Sequence, residues 1–507
     1  MARAGGAAGW ALRRRLLSIA GFLDRAFPWV GGAAILAYVC VALLRIRYPF
    51  ELEWMEGGSL DHVRRVLEGK PLYVEPSLSF TPFLYPPLYY LVSAGFAKVL
   101  GLGFAALRSV SLLSSLASLG LIFEIARRES RSASAGFVAA GIFAACFHAG
   151  GEFYDLARVD SLALALMLGG VCLLRSGSTA TAQGIAGTLL ALSFLAKQTS
   201  LVAFLPVLAW AVASRPRPRI ACAVAATAAI GIVLSLLHAR HDGWFGYYAF
   251  SLPAGHAVEP KWIAGFWTGD LLPFLPALLL AAGFLAAGRG RGDRAAFAGS
   301  LLVGALASSW LARAHVGGWL NVLMPAHAAL AVVSAVAVRA ARDRARSGPA
   351  GWAGAAAASA PLLLVAQFGA LAYDPAAAIP DREDREAGRM LVEGLSSLEG
   401  EVLVPAHPYL LPLAGKPGHA HLMAVVDVLR AGDTPIRARL EGEIVRAVAS
   451  RRYRAVITDE GADYLDGYLA AGYRPASRVF DRRDVFWPAT GLATRPERLW
   501  MPAGAGE

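Results

Sequence analysis

The chain has 507 residues, 56% hydrophobic and 17% charged, with a mean hydropathy of +0.49, a balance that excludes an ordinary water-soluble globular protein. Its net charge of +11 is uneven: from Asp374 on there are 17 Lys and Arg against 20 Asp and Glu, a net −3, which leaves +14 for everything before. The basic stretches abut apolar runs and are not interleaved with aromatics, which argues against a nucleic-acid surface.

In chain order, a basic segment (1–27, with Arg13 to Arg15) precedes the apolar run WVGGAAILAYVCVALL. This predicts an uncleaved signal anchor crossing at 28–46, because LLRIRY offers no small-residue cleavage site. A cytoplasmic amino terminus then makes 48–103 the first extracytoplasmic loop. Within it FLYPPLYYLVSAGFAKVLG opens with Pro86 and Pro87 and is rich in Tyr. It reads as an interfacial or re-entrant helix, since the span at 104–126 must already return the chain to the basic loop RRESR (127–131).

Further spans are expected at 133–149, 159–175, 184–196, 199–213, 220–238, 268–287, 295–312, 318–338 and 352–372. The loops RPRPR (215–219), GRGRGDR (288–294) and RAARDRAR (339–346) then all face the cytoplasm. About eleven crossings result, the two either side of Lys197 being short for a bilayer. The fold class expected is an all-α polytopic membrane bundle over 28–373 with a small extracytoplasmic α/β domain at 374–507. That tail shows a helical DREDREAGRMLVEGLSSLEG and strand-like EVLVP, RAVIT and DVFWP. Cys40, Cys146, Cys172 and Cys222 all lie in hydrophobic segments at no metal-site spacing, so neither a disulfide nor zinc is expected.

The first outer loop concentrates Glu51, Glu53, Glu56 and Asp61 beside the membrane, where apolar walls raise a carboxyl pKa towards the range of a general base. Alone, such a cluster reads as a solvated acidic loop. Asp160, at the outer mouth of a span with Asp155 and Arg158 close by, adds a costly ionisable group of the kind that marks a functional site. Lys197 interrupts an apolar stretch; it either snorkels or, with Arg158, holds a phosphate leaving group. The outer loop from Ala239 to Trp267 carries His241, Asp242, Tyr247, His256 and Lys261. With Tyr85 and Tyr89, its aromatic residues form an interface belt first and an acceptor or lipid platform second, His256 among them.

The order of EGKPLY, LYPPLYYLVSA, GFAALRSVSLLSSLASLGLIFEIARR, RVD, FLAKQTSL and GGWLNVLMPAHAALAV resembles the GT-C class of membrane glycosyltransferases. The branch it resembles groups protein O-mannosyltransferases, the lipid A aminoarabinose transferase and rhizobial galacturonosyltransferases. The likeness covers residues 20 to 340, and the tail resembles nothing named. It implies a first-loop catalytic carboxylate: Glu56 falls where the family has its Glu, but Met55 stands where an Asp is usual, so Glu53 and Glu56 are rivals for the base. It also implies that Asp160 is the second acidic residue and that Lys197 binds donor phosphate.

The function expected is inverting transfer of a hexosyl or pentosyl unit from a polyprenyl-phosphate donor to an extracytoplasmic glycan, lipid or protein acceptor. Arg158 and Lys197 would neutralise the departing phosphate. A divalent ion, Mg or Mn on Glu56 and Asp160, is compatible but not required, since two cations already balance a monophosphate. The alternative is a transporter or flippase of lipid-linked sugars, which would show internal repeats and polar groups at the bilayer midplane. The expected location is a bacterial plasma membrane. Cysteine labelling checks the arrangement: RRESR, RPRPR, GRGRGDR and RAARDRAR should react only from the cytoplasmic side, the first loop and the tail only from outside. A tail labelled from the cytoplasm would overturn it.

Overall fold

The computed structural model describes residues 2–214, 216–288, 292–347, 357–432, 434–460 and 464–504. Arg215 of the RPRPR loop, 289–291 of GRGRGDR and 352–356 of the last expected span lie outside the described residues. The helices are α1 (Ala2–Arg45), α2 (Glu56–Leu67), α3 (Leu88–Leu100), α4 (Phe104–Ser130), α5 (Ala133–Ala145), α6 (Asp160–Ser176), α7 (Ala180–Ala196), α8 (Ser200–Ser214), α9 (Pro216–Arg240), α10 (Leu275–Gly288), α11 (Asp293–Ala314), α12 (Met324–Ser347) and α13 (Ala360–Ala370). The tail adds α14 (Arg382–Ser397), α15 (Leu422–Arg430) and α16 (Pro435–Ala449), with strands β1 (Val402–Leu403), β2 (Ala455–Asp459), β3 (Tyr473–Arg478) and β4 (Pro496–Pro502).

Among the described residues six helical stretches are long and apolar enough to cross a membrane, or seven if the bent pair from Ala360 is one span. The protein is an integral membrane protein. The other predicted spans are shorter helices: α5 has 13 residues, α6 and α7 17 each, and α8 15, against the roughly 20 a crossing needs. The division between α7 and α8 falls on Lys197, whose extended backbone (φ −151°) ends one helix three residues before the next begins. Likewise α3 has 13 residues and starts directly after Pro87.

Lipid gives helices no hydrophobic reason to associate, so close backbone packing does the work. A Cβ on Gly141 of α5 would lie 2.2 Å from the Gly31 Cα of α1, and one on Gly304 of α11 would lie 2.0 Å from the Ala203 carbonyl oxygen of α8. The helix α12 lies at the centre, with nearly all of its apolar length buried.

At one end of the bundle Arg175 pairs with Glu129 (2.7 Å) and with Asp293, gathering the ends of α4, α6 and α11. Arg342 pairs there with Asp24 of α1. The other end of α6 begins at Asp160, and there the first loop and the tail meet.

The tail sheet runs β1-β2-β4-β3, with β1 parallel to β2 and the other pairs antiparallel. The expected helix is α14, fixed at its start by a capping box between Asp381 and Asp384. EVLVP and RAVIT supply β1 and β2. DVFWP is not a strand: Phe486 takes a left-handed φ of 62° and packs its ring against Phe50 at 5.2 Å. A left-handed bulky residue cannot continue a pleated ladder, and the third and fourth strands come from Tyr473–Arg478 and Pro496–Pro502 instead.

Replacing Gly141 by Val should wedge α1 from α5 and cost about 1–3 kcal/mol, read as a lower Tm in detergent. Gly95→Ala, inside α3 where an added Cβ meets nothing within 4 Å, should not lower Tm.

Candidate active site

The first loop is organised by one buried ion pair. Arg108, on α4, reaches both carboxylate oxygens of Glu56, with Nε–Oε1 at 2.9 Å and Nη2–Oε2 at 2.6 Å, and both side chains are fully buried. The Leu52 N–H donates to Glu56 Oε2 at 2.7 Å and the Ala157 N–H to Oε1 at 2.6 Å. Burial pushes the Glu56 carboxyl up, but Arg108 and the two amides outweigh it and hold the pKa below the usual carboxylate range. Glu56 therefore faces four donors and has no oxygen left for a substrate.

Glu53 differs. Its Oε2 accepts from Arg158 Nη1 at 2.7 Å, and Arg158 Nη2 donates to the Tyr85 hydroxyl at 3.3 Å. The guanidinium also lies 5.9 Å from the Tyr85 ring centroid and 5.8 Å from that of Phe153, a cation–π enclosure. Burial pushes the Glu53 pKa up, and Arg158 only partly offsets it. The tail closes over this carboxylate. Gly491 has φ +83°, and a Cβ there would sit 2.6 Å from Glu53 Cγ, while the Thr490 N–H donates to the Leu52 carbonyl at 3.1 Å. Only glycine satisfies both demands at position 491.

Two residues beyond Arg158, Asp160 opens α6. Its Oδ1 accepts from Lys197 Nζ at 2.5 Å and from Asn321 Nδ2 at 3.0 Å. Its Oδ2 is buried without a hydrogen-bond partner, beside a cavity lined by Lys197, Thr199, Ser200, Ser308 and Asn321. So Arg158 and Lys197, brought together from a turn and a helix break, each hold a carboxylate at the same mouth of the bundle.

Known proteins share this arrangement of helices. The model of glycosyltransferase family 87 matches residues 83–259, a stretch that holds Tyr85, Arg108, Arg158, Asp160 and Lys197. ArnT from Cupriavidus metallidurans, solved bound to undecaprenyl phosphate, is 14% identical with a TM-score of 0.56, covering 93% of this chain and 98% of its own. AglB from Archaeoglobus fulgidus, an archaeal oligosaccharyltransferase in complex with an inhibitory peptide and a dolichol-phosphate, is 12% identical with a TM-score of 0.51, covering 93% and 76%. The fold is that of the GT-C membrane glycosyltransferases. No curated protein sequence matches the chain.

Within this GT-C bundle the other residues expected at the site are dispersed. Tyr85 reaches it through Arg158. Tyr89 is fully buried and its hydroxyl donates to the Leu107 carbonyl at 3.0 Å. His256 faces the tail, its Nε2 donating to the Asp427 carbonyl at 2.8 Å. Asp155 is bound by Arg45 (2.7 Å), and Asp61 pairs with Arg64 while burial lifts its pKa to about 7. His241 bonds the Tyr73 carbonyl at 3.2 Å, and Lys261 stays at the surface beside Glu259.

Glu56 is engaged by Arg108 and two amides, and Asp160 Oδ1 by Lys197 and Asn321; among the described residues no group of three or more His, Cys, Asp or Glu is gathered around one point.

Sequence reasoning passes over Arg108 and Asn321. The cost of a lone arginine near the end of an apolar helix is the signal that would have found the first. Glu56→Gln should leave Arg108 as an uncompensated buried charge and cost roughly 3–5 kcal/mol, lowering Tm. In the double variant with Arg108→Gln the loss should be smaller than the sum of the two single losses, and an additive result would mean that the pair is not coupled.

Proposed function

We propose that the chain transfers a sugar from a polyprenyl-phosphate donor to a hydroxyl acceptor on the outer side of the membrane, with inversion at the anomeric carbon. The observation that carries this reading is the pairing of Glu53 with Arg158 (2.7 Å) and of Asp160 with Lys197 (2.5 Å) at one mouth of a GT-C bundle. ArnT was solved with undecaprenyl phosphate and AglB with a dolichol-phosphate, which supports a polyprenyl carrier for this chain as well. In this scheme the bundle spans 28–373, residues 1–27 are cytoplasmic, and 374–507 is an extracytoplasmic domain over the first loop.

Glu53 is the base. It accepts the acceptor's hydroxyl proton as that oxygen attacks the anomeric carbon, and the carbon–oxygen bond to phosphate breaks with its electrons leaving on the phosphate. Arg158 and Lys197 stabilise that anion. Arg158 links the two events, because a phosphate that captures its guanidinium releases Glu53 Oε2 for the acceptor. Asp160 keeps Lys197 in place through Oδ1 and offers Oδ2 to a hydroxyl. Glu56 holds the loop and takes no proton. Tyr85 lies beside the donor phosphate, whereas Tyr89 and His256 serve packing and the tail contact.

Burial raises the Glu53 pKa, so the basic carboxylate is lost on acidification at a pH above the ordinary carboxylate value, and the acid limb of the rate profile should lie there. The test uses purified protein, undecaprenyl phosphates carrying mannose, glucose, galacturonate or aminoarabinose, and a membrane extract of glycolipids and glycans as acceptor, with acceptor-dependent release of undecaprenyl phosphate as readout. Glu53→Gln should cut turnover by about two to four orders of magnitude while undecaprenyl phosphate binding persists. Lys197→Ala should weaken binding and turnover together. Full turnover in Glu53→Gln would remove Glu53 as the base and leave Asp160 as the residue to test.

A further inference from the structure

His407 lies in the tail, just after β1, and joins three separate parts of the chain. Its Nε2 donates at 2.7 Å to Asp459 Oδ2, at the end of β2, and its Nδ1 bonds Glu51 Oε2 in the first loop. All three side chains are buried. The Thr494 hydroxyl donates to the same Asp459 oxygen at 2.7 Å. The other oxygen of Glu51 accepts the Gly57 N–H at 2.8 Å, and the Glu51 N–H reaches the Tyr409 hydroxyl at 3.3 Å. The approach at Gly57 is tight, since a Cβ there would sit 2.3 Å from Glu51 Oε1 and 2.4 Å from the Tyr409 ring.

A chain of hydrogen bonds thus runs Thr494, Asp459, His407, Glu51, Gly57. It starts beside the tail sheet and ends in the first turn of α2. The residue it brackets is Glu53, between an anchored Glu51 and an anchored Gly57. The tail residues Thr490 and Gly491 press on the same segment from the side.

We propose that His407 is a positioning residue for sugar transfer: by gripping Glu51 it fixes the 51–57 segment and with it the Glu53 carboxylate, so that the tail is a working part of the reaction centre. This rests on the glycosyltransferase reading above. The charged and titratable groups around His407 are Asp459 from β2, Glu51 and Glu56 from the first loop, Tyr409 and His421 from the tail, and Arg108 behind Glu56. Burial alone would strip the proton from His407, but Asp459 and Glu51 outweigh it and raise the pKa to about 10. Burial raises the Glu51 carboxyl as well, so the proton belongs to the Asp459–His407–Glu51 bridge as a unit; because the folded value is raised, the bridge holds that proton at neutral pH and is lost as alkali removes it.

The experiment uses the full-length protein and the same panel of undecaprenyl-phosphate sugars, with kcat, KM, binding of undecaprenyl phosphate and hydrogen exchange in peptides over 48–58 as readouts. In His407→Gln the amide nitrogen reaches towards Asp459 as Nε2 does and abandons Glu51. In His407→Asn it stands where Nδ1 stood and keeps Glu51. His407→Gln should lower kcat about 100-fold, leave KM and undecaprenyl phosphate binding unchanged, and speed exchange over 48–58 but not over α12. His407→Asn should keep most of kcat and lose the alkaline fall in rate, since an amide does not titrate.

Wild-type kcat or unchanged 48–58 exchange in His407→Gln would overturn the proposal, as would a parallel loss of undecaprenyl phosphate binding with faster exchange throughout the tail, the mark of simple unfolding. A wild type inert towards every donor would overturn the transferase reading and the kinetic role of His407 with it; an active wild type with unaffected variants would overturn the role of His407 alone.

Discussion

The end of the bundle that carries the first loop hangs on the buried contact between Glu56 and Arg108. Two fully buried ions are costly to remove from water, and only near-complete hydrogen bonding makes such a pair tolerable. Here the bonding extends beyond the pair. Arg108 gives its remaining donors to the carbonyls of Tyr48 and Phe50, both at 2.7 Å, and Glu56 takes the amides of Leu52 and Ala157. One guanidinium therefore fixes the chain's exit from α1, the first loop, the start of α2 and the turn before α6 relative to α4. Glu53 and Arg158 stand on two of the segments so joined, and their separation is set by a pair to which neither belongs.

A second buried arginine repeats the device. Arg45, the last residue of α1, holds Asp155 through two bonds of 2.7 and 2.8 Å and reaches the Ala378 carbonyl at 3.1 Å, where the tail begins. The ionic groups of this mouth fall into two kinds. Glu56, Asp155 and Arg108 are saturated by fixed partners, so displacing any of them leaves a buried charge unpaired. Glu53 and Asp160 are instead each held by a long, flexible cation, Arg158 and Lys197, and Asp160 Oδ2 has no hydrogen-bond partner although Asn321 shares its Oδ1. Rigid pairs frame the mouth, and exchangeable pairs line it.

This division explains what the sequence discloses. Apolar runs and basic loops were enough to locate the long helices, because bilayer thickness and charge asymmetry act on composition directly. The motif order was enough to suggest the GT-C fold, and RVD and FLAKQTSL point to residues that do meet. What distinguishes Glu53 from Glu56, by contrast, is their partners in space, and Arg108 is 52 positions away. His407 stands out as part of a histidine-rich stretch, yet its partner Glu51 lies 356 residues earlier. In the tail DVFWP has strand composition, but Phe486 turns left-handed and serves as an apolar plug against Phe50. The true strands β3 and β4 carry Pro and Arg, and hold by ladder pairing rather than by propensity.

The exchangeable pairs also bear on how an anion would enter. In the structure Arg158 is neutralised by Glu53 and Lys197 by Asp160, so a phosphate arriving at either cation has to exchange with a carboxylate. At Lys197, Asn321 keeps hold of Asp160 Oδ1, so that carboxylate retains a donor when the ammonium turns to the phosphate. At Arg158, Tyr85 and Phe153 stay on the guanidinium while its bond to Glu53 breaks. The released carboxylate is buried, its pKa already raised, and the loss of Arg158 raises it further. On the proposed reading, donor binding itself converts Glu53 from a counter-ion into a base, and before a donor arrives the same carboxylate is tied to Arg158.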